Sequence, residues 1–202
     1  MGIGEWITGL VGSKQAASRP PSDYPSTQHW DGRNPVQCVE RNFARTCLDI
    51  SMILQEVFHR KPTLAGHWSF DRGWVASAAF AYFIYEWWSH RKNEDDPKFL
   101  RALNGRLYAL ADDVASRMNC DREHVVDAVR QAYPEIRDAF RKLSTSQPHS
   151  MSIFTMDVHL ILVRIVLEDH SVVDQTMDSF AQLSLGTLMT ETFAAFDSVK
   201  KP

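Results

Sequence analysis

The stretch D-R-G-W-V-A-S-A-A-F-A-Y-F-I-Y-E-W-W-S-H, residues 71 to 90, decides the fold. Between Trp74 and Trp88 its only charge is Glu86, and the run is apolar on every side of a helical wheel. Such a helix belongs inside a protein core or inside a membrane. A span needs roughly 20 apolar residues to cross about 30 Å of hydrocarbon. This run is shorter and closely bounded by Asp71 and Arg72 before it and by Ser89 to Asp96 after it. A buried core helix is therefore expected, with Asp71 as its N-cap. Ala76, Ser77, Ala78, Ala79 and Ala81 allow neighbouring helices to come close, and the aromatic residues from Phe80 to Trp88 fill the volume between them. A helix of this kind requires several others around it.

The flanking sequence supplies them. Val36, Val39, Phe43, Cys47, Ile50, Leu54 and Val57 recur at spacings of three and four, which predicts a helix over 36–60 ended by Pro62 and Gly66. Asp96 and Pro97 have the chemistry of an N-cap and a first helical residue. The stripe from Leu100 to Met118 follows, closed by Asn119. Asp121 is expected to cap the next helix, with Val125, Val129, Ala132 and Tyr133 inward and a break or kink at Pro134. Two more helices are expected, over about 151–169 and about 172–199, the second loosened at Gly186. The predicted fold is all-α: a single globular bundle of six or seven helices over residues 35–202, around a buried, aromatic-rich central helix.

Ahead of that domain, residues 1–14 place Ile3, Trp6, Ile7, Leu10 and Val11 at i, i+3, i+4, i+7 and i+8, one apolar helical face. Gly2, Gly4, Gly9 and Gly12 weaken it by roughly 1 kcal/mol each where they are interior. Such a segment folds only against something: a membrane surface, a protein groove or its own domain. Residues 15–34, with Pro20, Pro21, Pro25 and several serines, form a linker.

The composition narrows the partners. A net charge of −3, with Lys and Arg scattered among acids, gives no reason to expect nucleic acid. Three cysteines, Cys38, Cys47 and Cys120, fit a reducing, cytoplasmic setting better than a disulfide scaffold. Cys38 and Cys47 are nine apart, on opposite faces of one helix, and are expected not to bridge.

Candidate chemistry is sparse. Glu56 and His59 make the E-x-x-H spacing of di-iron bundles, but no second copy exists, so a helix-end pair is the plainer reading. Glu86 must pay for interrupting an aromatic run, either by a raised pKa or by a partner such as Arg45 or Arg164. The alternative is an outward pairing with His90 or Arg91. His159 lies on a line with Val163, Val166 and His170, where a hydrogen-bonded core histidine is the common outcome. Trp74, Tyr82, Tyr85 and Trp88 are candidates to line an apolar ligand pocket, set against an ordinary aromatic core. No cofactor and no complete metal site is expected.

The leading functional expectation is a non-enzymatic interaction or regulatory protein. It would bind a protein partner through its helical surface, with Ile3, Trp6, Ile7, Leu10 and Val11 anchoring it to a partner or to a membrane surface. The alternative is a helical enzyme or small-ligand-binding protein with a Glu/His site or an aromatic pocket in the bundle core.

Overall fold

The computed structural model describes residues 34–91, 96–144, 150–167 and 179–198. The amphipathic segment 1–14 and the linker up to residue 33 lie outside the described residues, as does residue 172 where the last helix is predicted to begin. Among the described residues there are six helices: α1 (Pro35–Arg60), α2 (Phe70–Arg91), α3 (Pro97–Met118), α4 (Arg122–Ser144), α5 (Ser150–Leu167) and α6 (Ser179–Ser198). Among the described residues there is no strand, and no helix is long and apolar enough to cross a membrane.

The helix ends follow local chemistry. At α1, Asn34 holds an extended backbone and its side-chain oxygen accepts from the Gln37 N–H at 3.0 Å, with Pro35 at the first helical position. Asp96 and Pro97 start α3 in the same way, the carboxylate accepting from the Lys98 N–H at 2.8 Å. Asn119 ends α3 in the left-handed region at φ 53°, and the Cys120 N–H donates to the Ala115 carbonyl at 3.1 Å. Asn tolerates that conformation because its short polar side chain can bond locally.

Two expectations fail. Asp71 does not cap α2. The helix begins at Phe70, one residue earlier, and Ser69 takes the cap position: its carbonyl accepts from Gly73 N–H at 2.9 Å and its hydroxyl from Arg72 N–H at 3.5 Å. Asp71 sits in the first turn, where its charge complements the helix dipole. Pro134 does not break α4, which is continuous from Arg122 to Ser144. Pro134 is exposed, so the backbone carbonyl it deprives of a donor can be satisfied by water.

The packing places α2 against each of the other five helices. Each outer helix also meets two neighbours, in the order α1, α3, α4, α5, α6 and back to α1. From Gly73 to Ser89 only Tyr82, Glu86 and Trp87 are less than fully buried. The small residues of its first half permit close approach: Ala76, Ala79 and Ala81 have no exposure, and the Ser77 hydroxyl returns its proton to the Gly73 carbonyl at 2.6 Å. Gly73 is itself covered by the Trp68 indole, which lies where a Cβ would stand.

Aromatic rings occupy the other half. Tyr85 meets Phe43 edge-on at 5.6 Å and Phe196 at 4.9 Å, and Trp88 stacks on Phe196 at 4.4 Å. Trp87 meets Phe140 and Phe193 at 4.8 and 4.6 Å. Rings from α1, α2, α4 and α6 thus interlock, in offset and edge geometries worth about 0.5–1.5 kcal/mol per pair beyond area burial. Cys38 and Cys47 are both buried with no disulfide, as a helix wedged between α2, α3 and α6 requires.

Candidate functional site

Glu86 is the one charge in the apolar stretch, and the structure turns it toward α4. The Tyr133 hydroxyl donates to its Oε2. Neither Arg45 nor Arg164 is its partner. Half-burial pushes the Glu86 carboxyl above the ordinary glutamate range, while His90 and then Arg137 pull it back. Tyr82, one turn earlier, packs edge-on against Tyr133 at 5.7 Å and donates to Asn104 Oδ1 at 3.1 Å. Burial first, then the Glu86 charge, pushes the Tyr82 phenol up to about 12. The Arg137 guanidinium lies 5.8 Å from the centre of the Tyr133 ring. The result is a half-buried, hydrogen-bonded acid on the α2–α4 seam, able to hold or exchange one proton.

A second carboxyl lies on the opposite side of α2. Asp49 of α1 is buried, with Arg45 Nε donating to its two oxygens at 3.1 and 3.4 Å. Burial is the largest influence on it and raises its pKa, Arg45 lowers it, Glu191 of α6 raises it further, and the result is about 7. One turn before it, the Thr46 and Tyr85 hydroxyls share a hydrogen bond of 2.9 Å, and Thr46 also bonds the Asn42 carbonyl at 3.2 Å. Burial holds the Tyr85 phenol and the Cys47 thiol well above their ordinary values. Sequence reasoning missed Asp49, although a signal existed. Asn42, Thr46 and Asp49 recur at helical spacing inside the buried face of α1, a polar line beside the apolar stripe of Phe43, Cys47 and Ile50.

The other candidates do not assemble with these. Glu56 is paired with Arg60 at 2.6 Å and His59 is exposed, both in the last turns of α1. The Phe58–Trp68 and Phe43–Tyr85 contacts make α1 and α2 antiparallel. Glu56 therefore lies near the start of α2, about 20 Å of helix from Glu86 at a 1.5 Å rise per residue. His159 is fully buried on α5. Among the described residues no three His, Cys, Asp or Glu side chains come together as a metal site would need.

The aromatic candidates also separate. Trp74 lines a small apolar void with Ala78, Leu107, Val114 and Val125, of about 10 Å³, room for about one water. Tyr82, Tyr85 and Trp88 do not line it; Tyr85 is committed to Thr46, and the Trp88 indole donates to Asp197 at 3.0 Å. Tyr85 and Trp88 are buried in the core, and Tyr82 is half-buried at its edge.

The surface differs sharply between helices. α4 exposes Glu123, Asp127, Arg130, Glu135, Asp138 and Arg141, laced by ion pairs such as Arg130–Asp127 at 3.3 Å. α6 exposes Leu183, Thr187, Thr190 and Ala194 along one line, and carries no charge from Ser179 to Thr190. Leu183 is 72% exposed, the one large hydrophobic residue so placed among the described residues.

No family model matches the chain, and neither the curated proteins nor the solved structures contain a match to it.

Proposed function

We propose that the protein acts by protein–protein contact, with the outer face of α6 receiving an apolar segment of a partner. The observation that carries this is the uncharged line Leu183, Thr187, Thr190 and Ala194, set against α1, α3 and α4, each of which exposes several charged side chains. Exposed leucine amid small side chains offers a partner apolar area without a charge to desolvate. Residues 1–14 form the second contact, through Ile3, Trp6, Ile7, Leu10 and Val11, tethered by the proline-containing linker. Two weak contacts on one tether reinforce each other through effective concentration. A reducing, cytoplasmic setting suits a chain with three thiols and no disulfide among them.

The test compares four full-length forms in capture from native lysate: wild type, Leu183→Glu, a deletion of residues 1–14, and Arg130→Glu on the charged face of α4. A protein retained by wild type and Arg130→Glu, but reduced at least tenfold by Leu183→Glu, supports docking on α6. Equal retention by Leu183→Glu overturns it. Flotation with vesicles of phosphatidylcholine and phosphatidylserine reads the arm separately. Binding that disappears only with residues 1–14 assigns the arm to membrane and not to a protein.

The Glu86–Tyr133 pair favours a second reading, a proton-handling or small-ligand site on the α2–α4 seam. A half-buried carboxyl with a raised pKa is a recurrent feature of working sites. Ligand-induced change in the Tyr133 ring resonances, abolished by Glu86→Gln, is the result expected of that reading.

A further inference from the structure

Leu183 begins an exposed line on α6 that runs through Thr187 and Thr190 to Ala194, about 16 Å at 1.5 Å per residue. Covering it is cheap in polar terms. The line has no charge, and the Thr190 hydroxyl already donates to the Gly186 carbonyl at 2.9 Å. One leucine, two threonines and an alanine offer far less than the roughly 800 Å² per partner that stable association of separate chains uses. An occupant on the same chain needs no such area, because its tether holds it at an effective concentration on the order of mM.

The chain carries one segment of matching size and chemistry. Ile3, Trp6, Ile7, Leu10 and Val11 form an apolar line of about 12 Å when helical, and residues 1–14 hold only Glu5 and Lys14 as charged side chains. The packing brings its tether within reach. Phe196 of α6 and Phe43 of α1 both meet Tyr85, at 4.9 and 5.6 Å. Ala181, Leu185 and Met189 are fully buried, so α6 runs from that level back along the bundle. Asn34 lies about 14 Å to one side of the level and Thr187 about 14 Å to the other, which with the width of a helix makes roughly 30 Å. A flexible linker over residues 15–33 averages roughly 25 Å end to end and reaches about 60 Å at full stretch. Effective concentration is greatest when the average length matches the span in this way.

We propose that in the unpartnered chain residues 1–14 seat their apolar face on the Leu183–Ala194 line of α6, so that the protein is the first occupant of its own docking face. The inference rests on the reading of α6 as a receiving face and adds its regulation. A partner segment that reaches beyond the line displaces the arm, and the freed arm becomes the second contact.

The experiment is photo-cross-linking in the purified full chain, with Thr187→p-benzoylphenylalanine and an equal mixture of isotope-labelled and unlabelled protein to tell one chain from two. The expected product joins position 187 to a peptide of residues 1–14 of the same chain. Adding Ile7→Glu, which sets a charge against the line, should lower its yield at least about tenfold. A cross-link to residues 168–178 or 199–202, to the linker or to a second copy, or none at all, overturns the proposal. So does an equal yield on residues 1–14 from Arg130→p-benzoylphenylalanine on α4. A second measurement leaves the bundle unaltered. A soluble gadolinium chelate should broaden the Leu183 methyl resonances at least twofold more in Ile7→Glu than in wild type, and equal broadening overturns the proposal. No partner is present in either assay, so a failure here leaves the capture result with Leu183→Glu to stand or fall separately.

Discussion

A side chain's place on a helix decides whether its polarity is an expense or a tool. Glu86 lies one turn after Tyr82 on the strip that is not fully buried between Gly73 and Ser89 of α2, so its carboxylate reaches Tyr133 and keeps part of its hydration. Its pKa is raised in the folded state, so folding takes up a proton that the unfolded chain would release. The stability this confers is present at low pH and is lost as pH rises through the folded value. Glu86→Gln keeps an acceptor for Tyr133 but carries no charge. Urea unfolding of both forms from pH 4 to pH 8 should show the variant gaining on wild type as pH rises; a constant difference would contradict the assignment. The need for a partner to Glu86 was legible in the sequence, because one charge in an aromatic run demands one. Its identity was not, since nothing in the spacing says that α4 returns Tyr133 to the same level. Asp49 was harder still, hidden by the ordinary look of a helix with charges at Arg45 and Asp49 four apart.

At the scale of the element, the helices were readable because their signals are local. The three-and-four spacing of α1, the Asp96–Pro97 start and the Asn119 stop all act within a turn or two. Pro134 misled for the opposite reason. Proline removes one hydrogen bond from a helix, a local cost of about 3 kcal/mol. Val125, Val126, Val129, Ala132, Ile136 and Ala139 are buried on both sides of it and hold the helix through. The start of α2 hangs on a tertiary contact in the same way. The Trp68 ring lies against Gly73, and a Cβ there would fall 2.3 Å from the indole Cη2. The indole also packs edge-on against Phe58 at 5.4 Å, which restricts its retreat. Gly73→Ala, favourable in an isolated helix, should therefore lower stability here by about 1–3 kcal/mol, the usual cost of overpacking. Thermal unfolding with the loss recovered in a Trp68→Leu background would check it; stabilisation by Gly73→Ala would contradict the contact.

For the whole molecule, the closed order of outer helices has a topological consequence. Glu191 acts on Asp49, while Phe196 reaches Tyr85 beside Thr46 and Phe43, so α6 runs antiparallel to α1. Asn34 and Ser198 consequently come to the same end of the bundle. The order in which the helices are synthesised is then incidental to the packing they reach. A circular permutant that joins Ser198 to Asn34 by a short glycine–serine linker, and opens the chain between Asn119 and Asp121, should fold to the same bundle with the same near-ultraviolet dichroism. Loss of that aromatic signature would mean that α1 and α6 do not close the ring. The spatial seam between the first and last helices is, in this sense, a suture: the place where a linear message has been made into an object without a beginning.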